Sequence, residues 1–180
     1  MALLAPFGAA ASPDGLCRAN EDSKYNCLLG DKVASLCAAP DNGETPGLTY
    51  RFGTKEKVEL EYAAAPENGK TFFAFSQQID PRARINQVWF DRGSVRYLMT
   101  ECSGGNCVSD GRLAVLRGDK VVMNAECRNP ISAPPAFSRD LVQFGPRRED
   151  ARSFSRLLKW DEAANPVEEL YQPESKKRGD

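Results

Sequence analysis

A chain of 180 residues has room for one ordinary domain, or for one domain with a tail, and hardly for two. Its 41% hydrophobic and 27% charged residues are a globular composition, and no apolar run is long enough for a mature membrane-spanning helix. Lysine plus arginine number 24 against 25 aspartates and glutamates, a net charge of -1 that lacks the bulk electrostatic footprint of a nucleic-acid binder.

The chain opens on an apolar stretch, residues 1–11, that closes on Ala9, Ala10 and Ala11. This fits the A-x-A pattern of a signal-peptide end, although no basic residue precedes the run. Residues 1–22 are therefore expected to be a leader remnant and an N-terminal extension. Cys17 follows Asp14, Gly15 and Leu16 and lacks the small residues of a lipid-attachment site.

From residue 23 to 127, short apolar alternations are separated by turn residues, the pattern of an antiparallel β domain. Residues 25–29 and 32–37 flank Gly30 and Asp31, a tight hairpin turn. Leu48, Tyr50 and Phe52 share one strand face, and Val58, Leu60 and Tyr62 alternate with Glu59 and Glu61, with residues 53–57 as the connecting turn. Further strands are expected at 71–75, 85–90 and 95–99, at Val108 with 113–116, and at 121–125. Residues 91–94 and 117–120 read as turns, each with a glycine where a positive φ is needed. With Arg92 and Gly93 as the loop, Phe90 faces Val95 and Trp89 faces Arg96, which sets a cation over an indole. Too few residues separate most strands for crossover helices, which excludes a parallel α/β fold. The expected fold is mainly β: an antiparallel meander forming a small barrel or sandwich, disulfide-bonded, with a short helix-containing C-terminal segment.

Residues 128–180 make that segment. Residues 129–135 are a proline-rich connector. In residues 150–160, Ala151, Phe154, Leu157 and Leu158 recur at helical spacing. Asn165 and Pro166 give a second, short helix start, and residues 174–180 have the composition of a disordered tail. Arg139, Arg147, Arg148, Arg152 and Arg156 are diluted by Asp140, Glu149 and Asp150, as on the solvated face of a helix packed on the β core.

Two counts bear on chemistry. No histidine occurs, which removes the usual base near neutral pH, the commonest metal ligand and the Ser-His and Cys-His nucleophile pairs. Six cysteines, Cys17, Cys27, Cys37, Cys102, Cys107 and Cys127, are an even set that persists as disulfides only in an oxidising compartment. Cys102 and Cys107 enclose a four-residue flexible turn and are expected to pair. Cys27 pairs next, with Cys37 or with Cys127, and Cys17 takes the one that remains. Zinc is disfavoured because there is a single C-x4-C and otherwise spacings of 10 or more, where structural sites use two close knuckles.

Carboxylates remain as acid/base candidates. Glu59 and Glu61 lie about 7 Å apart on one strand face, compatible with paired-carboxylate chemistry, yet their alternation with apolar residues places them on a polar, solvated side. Asp80, Glu101 and Asp110 read as loop or strand-edge acids. Ser103, Gly104, Gly105 and Asn106 match no phosphate-loop pattern and precede no helix, so nucleotide binding is not expected. Arg117, Gly118 and Asp119, and again Arg178, Gly179 and Asp180, spell an adhesion tripeptide, but the first has a hairpin role and the second lies on the tail.

Residues 25–27, 32–37, 48–53 and 57–62 together resemble the start of a group of small exported proteobacterial proteins that run through aromatic-rich strands to a late cysteine, as residues 72–127 do here. The resemblance spans about residues 25 to 127 and carries over no catalytic residue. In architecture, a small disulfide-linked β domain is similar to periplasmic lysozyme inhibitors and to immunity proteins that neutralise cell-wall-degrading toxins.

The resulting expectation is a periplasmic or secreted, non-enzymatic protein-binding module, an inhibitor or immunity protein whose partner is a cell-wall hydrolase or a toxin. No catalytic residue, metal site, cofactor, nucleic-acid partner or integral membrane segment is expected. The binding candidates are the exposed turns, represented by Asp91, Arg92, Ser103 and Asn106. The alternatives are a glycan hydrolase using Glu59, Glu61 or Glu101, and an envelope protein that self-associates through strand edges.

Overall fold

The computed structural model describes residues 15–39, 47–64, 73–80, 82–128 and 158–160, with residues 74–80 and 158–160 as backbone. Among the described residues ten strands occur: β1 (Asp22–Leu29), β2 (Lys32–Ala38), β3 (Leu48–Gly53), β4 (Val58–Ala63), β5 (Phe73–Asp80), β6 (Ala83–Arg92), β7 (Val95–Ser103), β8 (Gly111–Arg117), β9 (Lys120–Glu126) and β10 (Leu158–Trp160). They form a four-stranded sheet, β1-β2-β3-β4, and a six-stranded sheet, β10-β5-β6-β7-β8-β9. Among the described residues neither sheet closes on itself, so the expected alternative of a closed barrel gives way to two stacked layers.

The stacking follows from alternation. Tyr25, Leu36, Leu48 and Tyr50 of the smaller sheet meet Phe73, Val88, Phe90, Met99 and Leu113 of the larger in one buried cluster. Full burial of each such side chain contributes about 1.5–3 kcal/mol. Aromatic rings dominate the middle of this core. Tyr62 stacks on Phe90 at 4.1 Å between centroids, and Phe90 stacks on Tyr97 at 4.9 Å. The larger sheet also buries residues on its other face, where Trp89, Leu98 and Ala114 form a second cluster.

Hairpin chemistry fixes the meander. Leu29 pairs with Lys32 around Gly30 and Asp31, and Gly30 takes φ 73°. Arg117 pairs with Lys120 around Gly118, at φ 57°. The strand Phe73–Asp80 runs well past the expected 71–75, and Val108 lies outside any strand, exposed in the connection from β7 to β8.

The three described residues of the expected C-terminal helix over 150–160 are not helical. Leu158, Lys159 and Trp160 form β10, parallel to β5, with Leu158 opposite Phe73 and Trp160 opposite Phe75. Leu158 and Trp160 flank a lysine, which is a period-2 pattern as much as part of a helical stripe, and the open edge of β5 supplies the hydrogen-bond partner. The long connection that a parallel pair requires runs through all the strands after β5. Among the described residues there is no helix, and the remainder of that stripe and the helix start at Asn165 lie outside them.

Three disulfides close the fold: Cys17–Cys37, Cys27–Cys127 and Cys102–Cys107. They place the protein in an oxidising compartment outside the cytosol. Cys27–Cys127 links β1 of one sheet to the residue after β9 of the other, beside a hydrogen bond from Arg128 N–H to Leu28 O of 2.8 Å.

Candidate functional site

The turns proposed from sequence are formed, at opposite ends of the larger sheet. β6 and β7 pair from Arg92 opposite Val95 to Arg84 opposite Ser103. At strand rise these two ends are about 27 Å apart. Asp91 and Arg92 therefore share no surface with Ser103 and Asn106.

At the first end the loop is Gly93 and Ser94 rather than Arg92 and Gly93, so the facing pairs shift. Phe90 faces Tyr97, Trp89 faces Leu98, and Asp91 faces Arg96. Gly93 takes φ 62° at the first loop position. Arg96 clamps Asp91 with two bonds, Nε to Oδ1 at 2.8 Å and Nη2 to Oδ2 at 2.9 Å. Its guanidinium also lies 5.5 Å from the Trp89 ring centroid. The expected cation over an indole is thus reached diagonally across the pair, not by direct opposition. Gly118 N–H donates to Ser94 O at 3.2 Å, which ties the β6–β7 tip to the β8–β9 tip. Arg117, Gly118 and Asp119 occupy that second tip, all exposed.

At the other end, the loop between Cys102 and Cys107 is braced by its disulfide and by the backbone of Arg82. Asn106 N–H donates to Arg82 O at 3.3 Å, and Cys107 N–H to Gly104 O at 3.2 Å. Gly104 has φ 126°, and a Cβ there would collide with Arg82 O, whereas Gly105 faces open space. Gly104→Ala is expected to destabilise the protein by about 1–3 kcal/mol in urea unfolding and Gly105→Ala by far less. Ser103 is exposed, but Asn106 turns inward, 1% exposed, with neither side-chain amide atom bonded among the described residues.

The acids separate in the same way. Glu59 and Glu61 are exposed, on the face of the smaller sheet away from the core. Glu59 accepts from Lys32 Nζ at 2.8 Å, and Glu61 from Arg51 Nε at 2.7 Å. Glu101, expected in a loop or at a strand edge, lies within β7 and is 4% exposed, accepting from Asn86 Nδ2 at 3.1 Å. It sits between the sheets. There, burial above all, then the neighbouring Tyr50 and Glu101, holds the Tyr25 phenol well above its ordinary value. The three glutamates proposed as catalytic acids therefore do not converge.

Sequence reasoning missed an organised polar site among the described residues. Residues 15–21 lie as a strap on the outward face of the smaller sheet. Leu16 N–H donates to Ser35 Oγ at 2.9 Å, Ser35 Oγ to Asn26 Oδ1 at 2.6 Å, and Cys17 is bonded to Cys37. Arg51, its side chain 4% exposed, is held between Glu21 of the strap and Glu61 of β4. Cys17, Glu21 and Cys37 bring two sulfurs and a carboxylate within 4.8 Å of one another, the outline of a metal site. Both sulfurs are spent in the disulfide and the carboxylate is taken by Arg51.

Burial alone pushes the Glu21 carboxyl up, but hydrogen bonds from Arg51 and from Arg18 N–H, with both guanidinium charges, outweigh it and leave it below its ordinary value of 4.5. A carboxyl depressed by folding stabilises the folded state above its unfolded pKa and loses that contribution as the pH falls through its folded pKa. Stability measured by thermal unfolding is accordingly expected to decline as the pH drops below about 4.5, and Glu21→Gln to flatten that decline.

Comparison with known proteins finds no matching family model, no matching curated protein and no matching solved structure, so the exported β-protein resemblance of residues 25 to 127 gains no support from them.

Proposed function

We propose that the protein is a periplasmic or secreted, non-catalytic binding module, an inhibitor or immunity protein that engages a cell-envelope enzyme. The observation that carries this reading is the bracing of the exposed turns: the 93–94 tip is fixed by the Asp91–Arg96 clamp and the Gly118–Ser94 bond, and the Ser103 loop by its disulfide. Loops held rigid lose little conformational entropy on binding, which favours affinity. One of the sheet edges that self-association could use, β9, is blunted, because Val122 is an extra residue in β9 against β8 and Lys120 opens the strand.

The test is inhibition. The purified protein is assayed against a panel of muramidases, amidases and endopeptidases acting on peptidoglycan, and bound complexes are looked for by size-exclusion chromatography. Saturable inhibition or a stoichiometric complex supports the reading. Full hydrolase activity at high protein concentration, with no complex formed, removes it.

A second reading keeps one observation: Glu101 is a carboxylate buried between the sheets rather than one spread on a solvated face. A glycan hydrolase needs a second carboxylate, and Glu59 and Glu61 lie on the far face of the other sheet. Release of reducing ends from purified glycans, abolished by Glu101→Gln in a folded variant, would favour this reading over the first.

A further inference from the structure

The end of the larger sheet that carries Asp91 and Arg92 has a distinctive charge pattern among the described residues. Arg92 faces Val95, Val95 faces Arg117, and Arg117 faces Lys120, so these four residues form one register row across β6, β7, β8 and β9. Arg92, Arg117 and Lys120 are exposed. Three strand spacings set the outer two about 14 Å apart. None of the three forms an ion pair among the described residues, in contrast to Arg96, which is spent on Asp91. Exposed apolar side chains lie at the same end of the edge strand β9: Val121 is 42% exposed and Val122 is 51% exposed, directly after Lys120, with Val121, opposite Leu116, on the other face of the sheet from the row. The bond from Gly118 N–H to Ser94 O holds the two tips at a fixed separation.

We infer that this end is the contact surface of the binding module, and that its partner is a protein presenting an acidic patch beside an apolar one. The inference rests on the proposed binding function and deepens it by assigning a surface and a partner chemistry. Unpaired arginines beside exposed aliphatic groups match the composition of protein interfaces, in which charge fixes register and raises the association rate. Duplex nucleic acid is a poorer fit, because its binders commonly neutralise about 6–10 phosphates, and this row offers three cations on a chain of net charge -1. A lipid surface is poorer again, since two valines do not make the broad apolar face that interfacial binding needs.

The experiment maps backbone amide chemical shifts of the whole chain during titration with a poly-glutamate peptide, with duplex DNA and with phosphatidylglycerol vesicles as separate arms. The expected result is saturable shifts at 92–95 and 117–122 with the peptide, weakening about tenfold as salt is raised to ~0.3 M. The variant Arg92→Glu, Arg117→Glu, Lys120→Glu should abolish these shifts with its melting temperature little changed, because all three side chains are exposed. Peptide shifts that are absent or centred elsewhere overturn the inference, as does tighter binding of DNA or vesicles at these residues. The same variant separates the inference from the function beneath it. If a hydrolase is inhibited and the variant inhibits equally well, the binding function stands and this surface assignment fails.

Discussion

Replacing Cys27 and Cys127 together by alanine is expected to lower the stability of the protein by about 4–5 kcal/mol, the largest loss from removing any one of its disulfides. The bond joins residues 100 apart, against 20 for Cys17–Cys37 and 5 for Cys102–Cys107. In the chain-entropy account a longer closed loop removes more freedom from the unfolded chain, which gives about 3 kcal/mol for the middle bond and about 2 kcal/mol for the shortest. Position reinforces length, because Cys27 is fully buried in the core and its bond ties one sheet to the other. Urea unfolding of the three double-alanine variants tests the ranking. Equal losses from the longest and shortest bonds would show that local packing, not loop length, sets their contributions.

The second large effect belongs to Arg51. Its guanidinium donates Nη2 to Glu21 Oε1 at 2.9 Å and Nε to Glu61 Oε2 at 2.7 Å while its side chain is almost wholly buried. Arg51→Leu leaves the Glu21 carboxylate, itself 9% exposed at the side chain, without its main partner. Breaking a buried pair from one side costs about 3–5 kcal/mol, whereas replacing both members by apolar residues can be close to neutral. The double variant Arg51→Leu, Glu21→Leu is therefore expected to be more stable than Arg51→Leu alone, a sign reversal that simple additivity forbids. Glu61→Gln should cost about 1 kcal/mol or less, because that carboxylate is exposed. A double variant less stable than the single one would mean that Glu21 holds the strap by other contacts.

Much of the fold was legible because alternation and turn chemistry agreed. Leu48, Tyr50 and Phe52, and Val58, Leu60 and Tyr62, mark strands with one apolar face, and the glycines at 30, 93 and 118 take the positive φ that their turns demand. What failed depended on partners distant in sequence. Arg51 stands between Tyr50 and Phe52, where alternation assigns it to solvent. Only the strap buries it, and residues 15–21 read as part of a leader and its extension. Glu101 precedes Cys102, Ser103 and two glycines, so it read as the approach to a turn although its side chain faces the core. Leu158 to Trp160 fitted two periods at once, and the free edge of β5 decided between them. The separation of the two candidate turns was recoverable by counting, since β7 runs the whole way from one to the other.

The path of the Cys27–Cys127 bond also bears on how the chain is made. A chain that enters the oxidising compartment N-terminus first delivers its cysteines in numerical order, so Cys17, Cys27 and Cys37 reach the oxidant before Cys127 does. Of the three pairings open to those thiols, two capture Cys27 wrongly, and the native one passes over it. The first sheet must then form around a thiol that stays reduced until the last strands arrive, or an early error must be undone by thiol–disulfide exchange, which takes seconds to hours. The yield of native protein is thus expected to depend on a disulfide isomerase in the producing cell, more than on the rate at which thiols are oxidised.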